Sequence, residues 1–303
     1  MPIASRLFSG DADRDAVREL IIAAVANGRH TSYFQVGDLI WGLYQNTIFD
    51  PFRYICLWAD EDGELLGFTW FQPPDFIVLQ LHPRRYGDEA LEAQMLDWGQ
   101  ERRRESLEVE NSIHFVRCHA YEDDVTRLGL LARRGFERCD DGLVHMERDL
   151  ERPIPDHVPP DGFIVRHVGE QGEWGERVEI HREVWHPSKV TLDAYRRLRS
   201  IPGYTPQLDL VAAAPDGTFA SYCICWLDSA NKCGEFEPVG TRPAFRGKRL
   251  GQAVMLEGLR RLKAYGANTA IVYSYGDNEA AIKLYESVGF GIVKREHFYR
   301  KRV

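Results

Sequence analysis

Residues 234–290 read GEFEPVGTRPAFRGKRLGQAVMLEGLRRLKAYGANTAIVYSYGDNEAAIKLYESVGF, and the order of elements in this stretch decides the fold. Residues 234–241 suit a strand, which Pro243 cannot continue inside a sheet. Arg246-Gly247-Lys248-Arg249-Leu250-Gly251 then opens a helix. Leu250, Val254, Met255, Leu259 and Leu262 recur at steps of three and four and give it one apolar face. Small and basic residues ahead of a helix form an anion site, because the first-turn N–H groups are unpaired and the dipole points outward. The same residues would also serve as a solvated basic helix start. Residues 241–267 carry seven Lys and Arg against one Glu in a chain of net charge −8, so the anion is expected to be polyvalent. No Gly-Lys-Ser/Thr follows and no G-x-G-x-x-G precedes, which sets aside both common nucleotide loops. Residues 270–275 read as another strand. Asn278 is placed to cap a helix that turns Ala281, Ile282, Tyr285 and Val288 inward and stops at Gly289.

Working outward, residues 151–162 (ERPIPDHVPPDG) hold four prolines and no apolar period, as an extended, semi-stiff linker does. The linker divides the chain into halves of similar length, and the halves correspond. Residues 208–226 hold two apolar runs around Pro-Asp-Gly, and residues 53–71 hold two around Asp62-Gly63, each a hairpin signal. Gly289-Phe290 closes one copy and Gly135-Phe136 the other. Each half reads β-α-α-β-β-β-α-β-α-β, which implies a mixed, mostly antiparallel sheet with helices on both faces.

Composition narrows the class. At 303 residues and 44% hydrophobic, the chain can bury real cores. It is neither a disordered tail nor a disulfide scaffold. The net negative charge gives no mark of a nucleic-acid partner, and no run approaches the ~20 apolar residues of a membrane span. Asp11, Asp13 and Asp15 come too early for a signal peptide, so a cytoplasmic protein is expected. Cys223 and Cys225 share one face of a strand and Cys233 follows, but no second metal-ligand pair is near. Buried thiols and no metal are expected.

The succession of strand, anion-binding helix start, strand, Asn-capped helix with an inward Tyr, and Gly-Phe resembles the GNAT superfamily of acyl-CoA-dependent N-acetyltransferases. The likeness is densest over residues 234–290 and extends over 162–303. The family's pyrophosphate signature, Gln/Arg-x-x-Gly-x-Gly/Ala, falls on Arg246, Gly247, Lys248, Arg249, Leu250 and Gly251, with Arg249 where the family has Gly. Its second signature, Asn-x-x-Ala-x-x-Leu-Tyr-x-x-x-Gly-Phe, is met in full by Asn278, Ala281, Leu284, Tyr285, Gly289 and Phe290. The first half looks like a degenerate copy. Leu81-His82-Pro83 matches Thr241-Arg242-Pro243, but Asp124 stands for Asn278 and Leu131 for Tyr285, and Asp88, Glu89 and Glu92 enter the helix start. Tandem chains of this kind are similar to mycothiol-synthase-type acetyltransferases, in which one half retains the active site.

The resemblance implies two tandem domains. Residues 1–150 would be a GNAT-like half without cofactor, 151–162 a linker, and 163–303 an acetyl-CoA-binding catalytic half. It implies that Val239, Gly240 and Thr241 offer backbone groups to the pantetheine arm and polarise the acyl carbonyl. Arg246 to Gln252 and Asn278 would hold the rest of the cofactor, and Tyr285 would protonate the leaving thiolate. Glu235, with Glu237 two residues on, stands where many members place a general base; neighbouring carboxylates raise one another's pKa, which suits that work. The reaction implied is direct acetyl transfer to a primary amine of a small molecule or peptide. The acceptor would lie near Glu179, His181, Glu183, Trp185, His186, Asp193 and Tyr195. A CoA-binding sensor without turnover is the alternative, and an acyl-CoA hydrolase a third class.

Overall fold

Apart from one extra helical turn in the first, both halves run through the same elements in the same order, as the repeat requires. In a computed structural model, residues 3–28, 32–48, 50–107, 114–160 and 162–303 are described, so Asp161 in the proline-rich stretch lies outside them. The first half contains β1 (Ala4–Leu7), α1 (Asp11–Ala26), α2 (Val36–Tyr44), the single turn α3 (Pro51–Tyr54), β2 (Ile55–Ala59), β3 (Leu65–Gln72), β4 (Phe76–Leu81), α4 (Glu89–Leu107), β5 (Phe115–Tyr121), α5 (Val125–Arg133) and β6 (Glu137–Asp149). The second contains β7 (Ile164–His167), α6 (Trp174–Val184), α7 (Leu192–Leu198), β8 (Asp209–Ala213), β9 (Phe219–Asp228), β10 (Cys233–Thr241), α8 (Leu250–Ala264), β11 (Thr269–Tyr275), α9 (Glu279–Ser287) and β12 (Gly291–Arg302).

The repeat survives at the level of single dihedrals. Asp124 caps α5 at φ −82°, ψ 77° and accepts from Arg127 N; Asn278 caps α9 at φ −82°, ψ 71° and accepts from Ala281 N. Both helices end on a glycine at positive φ, Gly135 at 75° and Gly289 at 90°, where a side chain would be strained.

The expectation of a separate sheet in each half is corrected. Twelve strands among the described residues join one sheet in the order β1-β2-β3-β4-β5-β12-β6-β11-β10-β9-β8-β7. The halves exchange their last strands. β12 lies antiparallel between β5 and β6, with Phe298 opposite His119, and β6 pairs with β11, with Met146 opposite Val272. The order reads the same from either end once the copies are equated, so the pairing is that of a pseudo-twofold dimer within one chain. The physical reason is that β5 and β11 present equivalent open edges. Either last strand can satisfy either edge, and the twin's edge is taken.

Helices cover both faces. β3 and β9 are buried nearly end to end, as strands covered on both sides are. One core joins α1, α2, α6 and α7 across the halves and includes Leu39, Trp41, Tyr195, Leu198 and Trp226. The opposite face has one core under α4 and α5 and another under α8 and α9. Cys223 and Cys225 lie in the latter as buried thiols, and all six cysteines are unbridged. Among the described residues no helix is long and apolar enough to cross a membrane, and no cluster of three His, Cys, Asp or Glu could hold a metal ion.

Candidate active site

β10 pairs with β9 along its length but with β11 only at Cys233, Gly234 and Glu235. A bulge between Phe236 and Val239 then carries its end away from β11. Ser221 fixes that end from the β9 side, its Oγ donating to Gly240 O at 2.9 Å. The β11-facing edge of residues 239–241 opens into a cleft of about 910 Å³, whose lining includes Val239, Gly240, Thr241, Arg246, Gly247 and Tyr285. Glycines let the walls approach. A Cβ at Gly240 would lie 2.7 Å from Val184 and 2.8 Å from Tyr222, and one at Gly251 would lie 3.1 Å from Leu284.

At the other end of the cleft stands the start of α8. Gly247 takes φ 76°, and Arg249, at the helix N-cap, takes φ 58°, ψ 19°. Arg249 therefore adopts the left-handed conformation that the signature's glycine would supply, and the turn survives the substitution. Leu250, Gly251 and Gln252 line the cleft along with Asn278, so the first-turn N–H groups of α8 face it. The basic surplus of residues 241–267 sorts by geometry. Arg246 and Arg249 line the cleft. Arg242 is bound to Glu176 at 2.7 Å and Glu183 at 2.8 Å, while Arg261 pairs with Glu257. Lys248 stacks against Phe245, 5.3 Å from its centroid, and falls outside the lining.

Tyr285 is 7% exposed on the cleft wall beneath α9. Burial, followed by the charge of Glu237, holds its hydroxyl above its ordinary pKa, so it stays protonated. The two glutamates differ more than their spacing suggests. Glu235 is 3% exposed and its Oε2 accepts Gly37 N–H at 3.0 Å, with α2 lying over it. Glu237 lines a groove of about 380 Å³ with Trp41, Gln45, His181 and Trp185. Burial and then Asp38 push Glu237 up to about 8, and burial, Asp38 and Glu237 push Glu235 well above the carboxylate range.

Trp185 lines both the groove and the cleft, so the two spaces adjoin there. Its Nε1 donates to Tyr222 Oη at 2.8 Å, and Tyr222 Oη in turn lies 2.6 Å from His181 Nδ1. Burial and Arg177 push His181 down to about 3, so it is neutral. Arg177 fixes α6 to β8 through Asp209 at 2.8 Å, an ion pair in which both partners are buried. Of the acceptor-side residues expected from the sequence, His181 and Trp185 reach the groove. Tyr195 is instead bound to Asp209 at 2.7 Å, Glu183 to Arg242, and Asp193 to Arg196. The facing wall comes from the first half, from Trp41 of α2 and from Gln45 just past its end.

The corresponding slot of the first half is filled from within. β4 and β5 share a single register pair, Phe76 with Arg117. Between their diverging ends lies Tyr33, whose N–H donates to Gln80 Oε1 at 2.7 Å. Its hydroxyl donates to Asp124 at 2.7 Å and accepts Tyr121 N–H at 3.1 Å. Arg127 covers the ring at 3.8 Å and pairs with Glu92 at 2.6 Å. Arg84 and Arg85, the two basic residues of that half's helix start, are bound to Glu64 and Asp88.

The profile of the acetyltransferase (GNAT) family matches residues 175–290. A mycothiol acetyltransferase of Kineococcus radiotolerans is 30% identical over 245 residues, which are 76% of this chain and 76% of the relative. A mycothiol acetyltransferase of Nocardia farcinica is 28% identical over 295 residues, 91% of this chain and 90% of the relative. The solved structure of a GCN5-related N-acetyltransferase from Sphaerobacter thermophilus superimposes with a TM-score of 0.67 at 20% identity, covering 99% of this chain and 95% of that one.

Proposed function

Because the chain belongs to the GNAT family of acetyltransferases, we propose that its second half binds acetyl-CoA in the cleft beside β10 and transfers the acetyl group directly to a primary amine. The observation that carries this reading is the departure of β10 from β11 after Glu235, which leaves one strand edge facing the cleft. The pantetheine arm would lie along Val239, Gly240 and Thr241, and the N–H groups there would polarise the thioester carbonyl. Arg246, Gly247, Arg249 and the first turn of α8 would take the pyrophosphate. Tyr285 would give its proton to the departing thiolate.

The amine would approach along the groove of Glu237, His181 and Trp185, which shares the Trp185 wall with the cleft. Cationic amines suit its carboxyl and aromatic walls. The mycothiol acetyltransferases among the relatives favour a small-molecule acceptor over a peptide. On this reading residues 163–303 are the catalytic half, 1–150 a cofactor-free half, and 151–162 the connection. Release of CoA thiol from acetyl-CoA, with product mass, across simple amines, amino sugars and peptide N-termini tests the proposal. Saturable formation of an N-acetyl product is expected from at least one class. Acetyl-CoA that binds without turnover toward any acceptor would make the chain a sensor instead.

A further inference from the structure

One wall of the Glu237 groove is the loop between α6 and α7, which contributes Trp185, Pro187, Ser188 and Lys189 to its lining. The loop is held in place. Val190 forms a single β-bridge with Asn46 of the first half, and its N–H donates to Ser188 Oγ at 3.2 Å. Thr191 then caps α7, its Oγ1 accepting Ala194 N–H at 3.1 Å. The Glu237 backbone is fixed as well, since Trp226 Nε1 donates to its carbonyl oxygen at 2.6 Å. Glu237 is half-buried and Lys189 exposed, so the groove runs from a carboxyl group beside β10 to an ammonium group at its mouth.

Lys189 stands apart from the cations of the surrounding elements. Arg177 of α6 is held by Asp209, Arg196 of α7 by Asp193, and Arg242, just past β10, by Glu176 and Glu183. Among the described residues, the Lys189 ammonium forms no ion pair and no hydrogen bond. With His181 neutral, the charged side chains that line the groove are Glu237 and Lys189. An acceptor that is only a cation would find its attraction to Glu237 opposed by Lys189. One that also carries an anionic group complements both ends.

Resting on the acetyl-transfer reading above, we propose that Lys189 selects the acceptor: the amine also carries an anionic oxygen group, carboxylate or phosphate, which Lys189 receives while the amine lies at Glu237. The orientation follows from where the two spaces adjoin. The groove shares Trp185 with the cofactor cleft, and the charge of Glu237 reaches Tyr285, so the amine belongs at the Glu237 end. Lys189 lines the groove but not the cleft, which places it to hold the acceptor rather than the cofactor's phosphates. Between the two charges lie the Trp41 and Trp185 rings, which suit a short apolar spacer. An ammonium is a compact point charge that takes either anion. A groove of about 380 Å³ falls in the range of small-molecule sites, so the acceptor is a small zwitterion.

Matched acceptors test this. Acetylation of short ω-amino acids is compared with that of their amides, and acetylation of 3-aminopropyl phosphate with that of 3-aminopropanol. In at least one pair kcat/KM is expected to favour the anionic member about tenfold, as one charge-assisted contact does. The difference should lie in KM rather than kcat and shrink as salt is added. Which pair shows it tells carboxylate from phosphate. Lys189→Ala should abolish the preference, Lys189→Glu reverse it and Lys189→Arg keep it, with the acetyl-CoA dissociation constant unchanged in all three. No preference in the parent for either anion, or one that survives Lys189→Glu, would overturn the proposal. If the parent chain acetylates no amine, the acetyl-transfer reading fails on its own, and calorimetric titration of the same pairs into the acetyl-CoA-loaded protein decides for Lys189. Tighter binding of the anionic member, lost in Lys189→Glu, is expected; equal or undetectable binding of both members would overturn the proposal.

Discussion

Substituting Tyr33 by Phe should destabilise the chain by about 1–3 kcal/mol, the penalty for leaving buried polar partners unmet, and the acetyl-CoA stoichiometry should stay at one. The magnitude follows from what the hydroxyl does. It is the acceptor for Tyr121 N–H at 3.1 Å and the donor to Asp124 at 2.7 Å, on a ring only 7% exposed. Tyr33→Ala also removes the ring that stacks on Tyr121 at 4.3 Å and lies under Arg127, so a loss of about 3–5 kcal/mol is expected. These contacts lie where β4 and β5 separate, the position that would receive a pantetheine arm in the first half. While they hold, the slot is closed by the chain itself. Urea unfolding measures the stabilities, and calorimetric titration with acetyl-CoA measures the stoichiometry of the parent and of Tyr33→Phe. Two sites per parent chain, one of them insensitive to Arg246→Glu, would refute the closed slot. A Tyr33→Phe variant as stable as the parent would refute the hydrogen-bond reasoning.

Tyr285→Phe should lower kcat by about 10²–10⁴-fold, as loss of a general acid does, with little change in acetyl-CoA affinity; equal rates for mutant and parent would remove Tyr285 from the reaction. Arg249→Gly should be more stable to urea than Arg249→Ala by about 1 kcal/mol, because only glycine occupies the left-handed region without strain. Both Arg249 variants should bind acetyl-CoA more weakly than the parent, by a factor that shrinks as salt is added. Equal stability of the two would mean that the turn at φ 58° carries no strain.

What the sequence could disclose follows from how local each signal is. The cap at Asn278 and the helix-ending glycine at 289 are set within a few residues, and both were legible. The cleft lining contains every cofactor-side residue the signatures named except Lys248, which a neighbouring aromatic pair draws aside. The strand exchange was not legible, since β6 and β12 carry no mark of which open edge they will take. Nor was the seating of α2 on β10, which arises only because Gly37 lets the helix settle on Glu235. The difference between Glu235 and Glu237 escaped for the same reason. Period-two spacing puts both on one face, and the bulge after Phe236 separates their surroundings.

The exchange also bears on why a half without cofactor signatures persists. β11 is bounded by β10 on one side and by β6 of the other half on its second, while β12 lies between β5 and β6, both foreign to it. Without the first half, β11 would present a row of unpaired N–H and C=O groups and β12 would have no neighbour, which is the open-edge condition that invites aggregation. α9 and Tyr285 sit between these two strands in the chain, so the placement of Tyr285 depends on strand partners from the first half. The same half supplies Trp41 and Gln45 to the groove wall. Loss of the pyrophosphate signature therefore leaves intact the duties that tie the first half to the second: closing the sheet and walling the groove. A sequence under those constraints can change at Arg84 and Arg85, where cofactor chemistry alone would have held it, but not at Gly37, where a single methyl group would push α2 off the strand.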